Sequence, residues 1–304
     1  MIRASIKAPD PSQARVSPMK PNVQAFFHEP TFTVSYLVSD PATGQGAVID
    51  PVLDFDVKSG RTGTQSAEAI LAAAEASAVR IVLILETHVH ADHLTAAPFL
   101  KARTSAPVVI GRHVTTVQRT FRTVYNVPDV AIDGSQFDRL LDDGQTVTVG
   151  GLAIRVMHTP GHTPACVTYV AGDAAFIGDT MFMPDYGTAR CDFPGGDAAQ
   201  LYRSIRRILD LPPATRIFVC HDYKAPGRDV FAWETTVAAQ RAGNVHIRDG
   251  IDEAAFVAMR RGRDAKLDMP TLILPAIQVN MPAGHLPEPE SNGVVYLKLP
   301  IDRL

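Results

Sequence analysis

The stretch Thr87-His88-Val89-His90-Ala91-Asp92-His93 follows directly on the apolar run Ile81-Val82-Leu83-Ile84-Leu85. A short apolar run that ends in polar residues reads as a buried strand. The loop at its end carries four side chains able to ligate a metal. His88 and His90 alternate, so on an extended backbone they point to the same side, and Asp92 and His93 follow as the chain turns into a helix expected from Leu94 to Arg103. Histidines scattered through a core would not share one loop at this spacing. The stretch therefore predicts a centre for one or two cations.

Outward from that loop, the pattern alternates strands and helices. Phe32 to Val38 and Gly46 to Asp50 flank the turn residues Pro41-Ala42-Thr43-Gly44, which predicts a hairpin. Ser66 to Ala76 carries Ala67, Ile70, Leu71 and Ala74 at helical spacing and leads into the strand that ends at the histidines. Val108-Val109-Ile110 reads as a strand and Thr115 to Val124 as a helix. A second β-rich half pairs Thr146 to Val149 with Leu152 to Val156 around Gly150-Gly151, then Val167 to Val170 with Ala175 to Gly178 around Gly172-Asp173. A helix from Ala198 to Leu209 and a strand Ile217 to Cys220 complete it. Two β-rich halves, each with its own helices, predict two packed sheets with helices outside.

Three more donors follow strands: His162 in Thr159-Pro160-Gly161-His162, Asp179 in Gly178-Asp179-Thr180, and His221 in Cys220-His221-Asp222. Strand ends share a rigid support, which metal coordination needs because ligand distances tolerate little error. Taken alone, each of these residues is an ordinary polar loop or cap residue; with the histidine loop they make a ligand set.

Composition narrows the remaining classes. The 304 residues, 46% hydrophobic and 20% charged, suffice for one large core. Residues 1–22 lack periodicity and read as an irregular arm, leaving 23–304 as a single catalytic domain with a C-terminal tail. A net charge of −3 with no basic block argues against nucleic acid. No apolar run reaches the length of a membrane span, and no secretion signal is legible, so the expected location is cytoplasmic. The three cysteines, Cys166, Cys191 and Cys220, suit a reducing compartment and predict no structural disulfide. Cys191, beside Arg190, is the one whose thiolate that cation would favour, although packing is the simpler role.

The pattern His88-x-His90-x-Asp92-His93, then His162, Asp179 and His221, resembles the metallo-β-lactamase superfamily over most of the chain. That resemblance implies an α/β (α+β) fold, the αββα sandwich of two packed mixed β-sheets with helices on the outer faces and the metal at one edge. The fold hosts hydrolases, nucleases and oxygenases, so the reaction must come from finer features. Gly187-Thr188-Ala189-Arg190-Cys191-Asp192-Phe193, His221-Asp222-Tyr223 and the closing loop Pro275 to Gly284 look like the persulfide dioxygenases, most closely the sulfur dioxygenase domain of bacterial β-lactamase-hydrolase-like proteins.

Membership of that family implies one Fe(II) per chain, held by His88, His162 and Asp179, and oxidation of glutathione persulfide by O2 to sulfite and glutathione. Two imidazoles and a carboxylate on one face leave open positions, as non-haem iron oxygenases require. His90, Asp92, His93 and His221 then orient the ligands and bound water. Arg190 is expected to fork onto a glutathione carboxylate and Tyr223 to donate a hydrogen bond. A homodimer follows family habit, and a rhodanese-type sulfur donor would be a separate protein. Some relatives carry a cysteine in the closing loop; Ala283 stands there in this chain, which speaks against a thiol relay. The competing reading is a glyoxalase-II-like hydrolase of glutathione thioesters, in which His90, Asp92, His93 and His221 complete a two-metal site. No long helical glutathione-binding tail of the hydrolase type is legible. A metal-bound regulatory module without turnover is a third class, disfavoured because it needs no open metal positions.

Overall fold

The computed structural model describes residues 20–303, so the arm expected at the N-terminus lies almost wholly outside the described residues. Among the described residues the first strand opens at Asn22. Strands β1 (Asn22–His28), β2 (Thr33–Ser39) and β3 (Gln45–Ile49) form an antiparallel meander. Next come β4 (Val52–Asp56) and β5 (Arg61–Gly63), then helix α1 (Gln65–Ala76) and β6 (Arg80–Leu85), which lies parallel to β3. After the histidine loop, β7 (Leu94–Thr95) pairs with Val52 and Leu53 of β4. Helix α2 (Ala97–Thr104) therefore starts three residues later than the sequence pattern suggested, because Leu94 and Thr95 are held extended by that pairing and Pro98 then opens the helix. Strand β8 (Val108–Gly111), helix α3 (Val114–Val124) and β9 (Arg139–Leu141) finish the first sheet, in the order β1-β2-β3-β6-β8-β9.

The second sheet runs β10 (Thr146–Val149), β11 (Leu152–His158), β12 (Val167–Ala171), β13 (Ala174–Phe176), β14 (Arg216–Phe218) and β15 (Glu234–Thr236) in sequence order. Helix α4 (Ala198–Leu209) is the crossover that makes β13 and β14 parallel. Helices α5 (Val237–Gly243), α6 (Glu253–Asp264) and α7 (Ile273–Asn280) follow. The sequence reading left α5 and α6 unassigned, and the closing segment it took as a loop is α7, with Pro275 tolerated in the first turn where the N–H needs no partner.

Packing explains the layers. Val34, Tyr36, Val38, Leu83 and Leu85 from the first sheet meet Val147, Ile154, Val156, Tyr169 and Phe176 from the second in one apolar layer. Leu37, Ile84 and Ile110 face the other way, against Ile70 of α1, Leu100 of α2 and Phe121 of α3. Ile217 and Val219 do the same on the far side, against Leu201 and Ile205 of α4 and Phe256 of α6. The period-two alternation of these strands thus builds helix, sheet, sheet, helix. At one edge the sheets are tied through the backbone: Val34 N donates to Cys220 O at 2.7 Å, and Val167 N to Thr87 O at 2.9 Å. Among the described residues no helix is long and apolar enough to cross a membrane.

Candidate metal centre

Strands β3, β6, β11, β13 and β14 all deliver their C-terminal ends to that tied edge. Asp50 follows β3, the loop Glu86 to His93 follows β6, His162 follows β11, Asp179 follows β13 and His221 follows β14. Close approach of the sheets depends on Gly178, at φ +48°, where an added Cβ would sit 2.6 Å from Thr87 Oγ1.

The donor atoms of His88, His162 and Asp179 lie within 4.8 Å of one another, all buried. His162 Nε2 is 3.7 Å from Asp179 Oδ2, and the His88 and His162 rings meet edge to face at 5.3 Å between centroids. Beside them, His221 Nε2 lies 3.2 Å from Asp92 Oδ2 and 3.5 Å from Asp179 Oδ1, and His93 Nδ1 lies 3.2 Å from Asp92 Oδ2. All seven predicted donors therefore converge.

Each ring is aimed by a partner behind it. His162 Nδ1 donates to the carbonyl of Arg190 at 2.8 Å, and His221 Nδ1 to that of Phe32 at 3.2 Å. His88 Nδ1 meets Thr87 Oγ1 at 3.0 Å. These contacts leave the Nε2 lone pairs facing inward. His88 Nε2, His90 Nδ1, His93 Nε2, His221 Nε2 and Asp179 Oδ1 are buried without hydrogen-bond partners. Each such atom costs about 1–3 kcal/mol if left unsatisfied, so their convergence fits a bound cation. Burial and the neighbouring His90 and His162 push the His88 imidazole well below its usual pKa, and burial with His90 brings His93 down to about 4. Both rings are thus held as neutral nitrogen donors.

His90 is different. Its Nε2 lies 3.1 Å from Asp50 Oδ1 and 3.4 Å from Glu86 Oε2, in a buried cluster that Thr87 and Thr95 close with hydroxyl hydrogen bonds. Burial opposes its charge, but the two carboxylates hold its pKa well above the ordinary value. The histidine loop has no regular structure of its own, and Asn280 at the end of α7 pins it. Asn280 Nδ2 donates to His90 O at 2.8 Å and His93 O at 2.7 Å, while its Oδ1 accepts from Thr95 N at 2.9 Å. Asp50 and Glu86 were missed in the sequence, although a carboxylate immediately after an apolar strand was the available signal.

Above the donors opens a cavity of about 500 Å³ with Asp92, His162 and Asp179 in its floor and Phe32, Phe182, Tyr186 and Tyr223 in its walls. Tyr223, expected to contact substrate, lines the cavity with its ring stacked on His221 at 5.6 Å. Arg190 lines the cavity too, but the fork expected for a substrate carboxylate is taken by Asp192, with Nε and Nη2 each 2.6 Å from a carboxylate oxygen. Nη1 binds Asp268 O, and the guanidinium lies over Phe193. Its short spacing to Asp192 satisfies it locally. The lining cations without an ion-pair partner among the described residues are Lys58, after β4, and Arg263, on α6. Neither carried a motif in the sequence. Cys191 is buried, and burial beside Asp264 drives its thiol pKa up rather than down. Cys166 rises to about 12 for the same desolvation reason, so these thiols are packing groups.

A sandwich with seven donors at one edge defines a metal-dependent enzyme fold, and residues 28–221 match the family model of the metallo-beta-lactamase superfamily. The chain belongs to that superfamily. It is 59% identical over 293 residues to a probable metallo-hydrolase of Burkholderia pseudomallei, covering 93% of this chain and 99% of that one. It is 54% identical over 284 residues to a beta-lactamase hydrolase-like protein of Xylella fastidiosa, covering 93% of this chain but 65% of that longer protein. Human mitochondrial persulfide dioxygenase ETHE1 is 30% identical over 205 residues, covering 66% of this chain and 68% of that one. The crystal structure of ETHE1 from Myxococcus xanthus superposes with a TM-score of 0.69 at 30% identity, covering 87% of this chain and all of that one.

Proposed function

We propose that the chain is an Fe(II)-dependent persulfide dioxygenase that converts glutathione persulfide, O2 and water into glutathione and sulfite. The observation that carries this reading is the convergence of His88, His162 and Asp179, the last two of which line the floor of a cavity of about 500 Å³. The similarity to ETHE1 proteins in sequence and structure supports it. Two imidazoles and one carboxylate are the donor set of mononuclear oxygenases. Those three residues would hold the iron, which supplies the one-electron chemistry that O2 needs to react with a closed-shell sulfur anion.

The chain's own residues do the rest. The aromatic walls exclude water from the floor. Tyr223 offers its hydroxyl, and Lys58 and Arg263 offer positive charge to the carboxylates of a glutathione peptide. Asn280 keeps the loop that carries His88 in register with His162 and Asp179, which come from the other sheet.

One observation favours a second reading. Asp92, with the unpartnered Nε2 atoms of His93 and His221, is a second donor set beside Asp179, and α6 brings a helix to the cavity where the sequence showed no helical tail. Two cations there would suit thioester hydrolysis. Anaerobic loading with Fe(II), then assay of oxygen uptake with glutathione persulfide against hydrolysis of S-lactoylglutathione, separates the two. Uptake at one iron per chain is the expected result; hydrolysis without uptake selects the hydrolase.

A further inference from the structure

A half-buried histidine outside the donor set, His28, ends a line of hydroxyls that begins at the donors. Thr33 Oγ1 lies 3.4 Å from Asp92 Oδ2, 3.4 Å from His93 Nδ1 and 3.5 Å from His221 Nδ1. It also lies 2.8 Å from Thr31 Oγ1, which is 2.7 Å from His28 Nδ1. His28 Nε2 in turn lies 3.4 Å from Asp54 Oδ1, on a carboxylate 25% open to solvent. The β1–β2 hairpin builds this line, because its register sets His28 opposite Thr33 with Thr31 in the turn between them. Thr33 is fully buried, Thr31 lines the substrate cavity, and neither His28 nor Asp54 does, so the line leaves the cavity wall beyond Thr31.

Chemistry requires such a route. With a protonated persulfide, the proposed reaction is GSSH + O2 + H2O giving GSH + sulfite dianion + two H⁺. The two persulfide sulfurs together give up four electrons to O2, water supplies the third oxygen of sulfite, and two protons are left to remove. A peptide seated in the cavity covers the direct way to solvent.

We propose that Thr33, Thr31, His28 and Asp54 form a proton exit from the metal centre; the proposal rests on the dioxygenase reading above. The polarity of the line is consistent throughout. Asp54 accepts from His28 Nε2–H, so His28 Nδ1 carries a lone pair and accepts from the Thr31 hydroxyl, whose oxygen accepts from Thr33. A proton reaching Thr33 displaces that hydroxyl's own proton to Thr31, Thr31 passes its proton to His28 Nδ1, and His28 releases the Nε2 proton to Asp54 and water. Each O–H bond broken is replaced. Burial lowers the His28 pKa against the opposing pull of Asp54 on β4 and Asp92 in the histidine loop, the charged groups that face it. The ring is therefore neutral and ready to accept, the property a histidine shuttle needs.

The test uses the full chain with Thr31→Val, Thr31→Ser and His28→Gln. In the iron-loaded enzyme at saturating glutathione persulfide, Thr31→Val should lower kcat about tenfold, within the range of lost acid–base assistance, with KM unchanged and a larger solvent deuterium isotope effect. Thr31→Ser, which keeps the hydroxyl, should restore kcat, and added imidazole should rescue His28→Gln. Independently of turnover, nitrogen NMR of the metal-free protein should show His28 as the Nε2–H tautomer, with its Nδ1 resonance moved by Thr31→Val. Wild-type kcat and isotope effect in Thr31→Val, or an Nδ1–H tautomer at His28, overturns the proposal. Should the wild type hydrolyse S-lactoylglutathione and consume no oxygen, the same variants are read on hydrolysis, which also releases a proton, so that path and reaction fail separately.

Discussion

The two sheets contribute to the metal centre in contrasting ways. The first gives His88, His90, Asp92 and His93 from one irregular loop, braced from behind by the carboxylates of Asp50 and Glu86 and pinned by Asn280. The second gives His162, Asp179 and His221 singly, each at its own strand end, with His162 and His221 aimed by neutral backbone carbonyls. A strand end carries its own rigidity from the ladder beside it. A loop without a ladder must import rigidity, here from buried charge and from an asparagine 187 residues further along the chain.

The largest effect should come from the strand-end side. His162→Ala removes one of the three donors proposed for the iron, and iron content by elemental analysis and oxygen uptake should both fall below detection; retained iron and turnover would break the assignment. On the loop side, Asp50→Asn leaves the donors in place but takes away the charge behind His90. Support residues of this kind are worth about 10–100-fold in metal affinity, and competition with a chelator measures that directly. Asn280→Ala should destabilise the metal-free protein by about 2–3 kcal/mol, since it leaves buried carbonyls of His90 and His93 unpaired; urea unfolding reads the loss. A loop that kept its stability and affinity without Asn280 would erase the contrast between the halves.

Acid sharpens the same contrast more gently. His88 and His93 have folded pKa values below the unfolded 6.5, so the stability they contribute is present above pH 6.5 and is lost as pH falls toward about 4 for His93. His90 has the opposite sign: its contribution is full below pH 6.5 and declines as pH rises through its elevated value. The urea midpoint of the metal-free protein should therefore drop between pH 7 and pH 5. The smallest effect is expected at Arg190, where replacement by Ala should leave KM within about twofold because its fork is engaged by Asp192, whereas Arg263→Ala should raise KM.

What could be read from the sequence follows the same division. Short-range spacing made the histidine loop plain, and apolar runs ending in His or Asp located the strand-end donors one at a time. Hairpins with Gly turns and the α4 periodicity were legible for the same local reason. The supports were not. Thr33 meets the centre only through tertiary contact and a lone Thr carries no pattern, while the closing loop that holds Asn280 pointed to the family but not to that residue's contact with the histidine loop. Leu94 was read as helical because pairing with β4, rather than local propensity, decides its conformation. Arg190 had the right chemistry for a ligand contact but a carboxylate two residues away, and proximity in the chain prevailed.

The division of donors between sheets also makes the cation a clasp. Loop donors and strand-end donors meet at this edge, where Gly178, next to Asp179 in the chain, lies close against Thr87. Binding across that seam couples occupancy to the docking of the whole sandwich, and at a thousandfold excess over Kd it adds about 4 kcal/mol to the folded state. The protein's thermal stability is thereby tied to metal supply: a chain that has lost its ion is not merely idle, but is the form that unfolds first and is open to proteolysis.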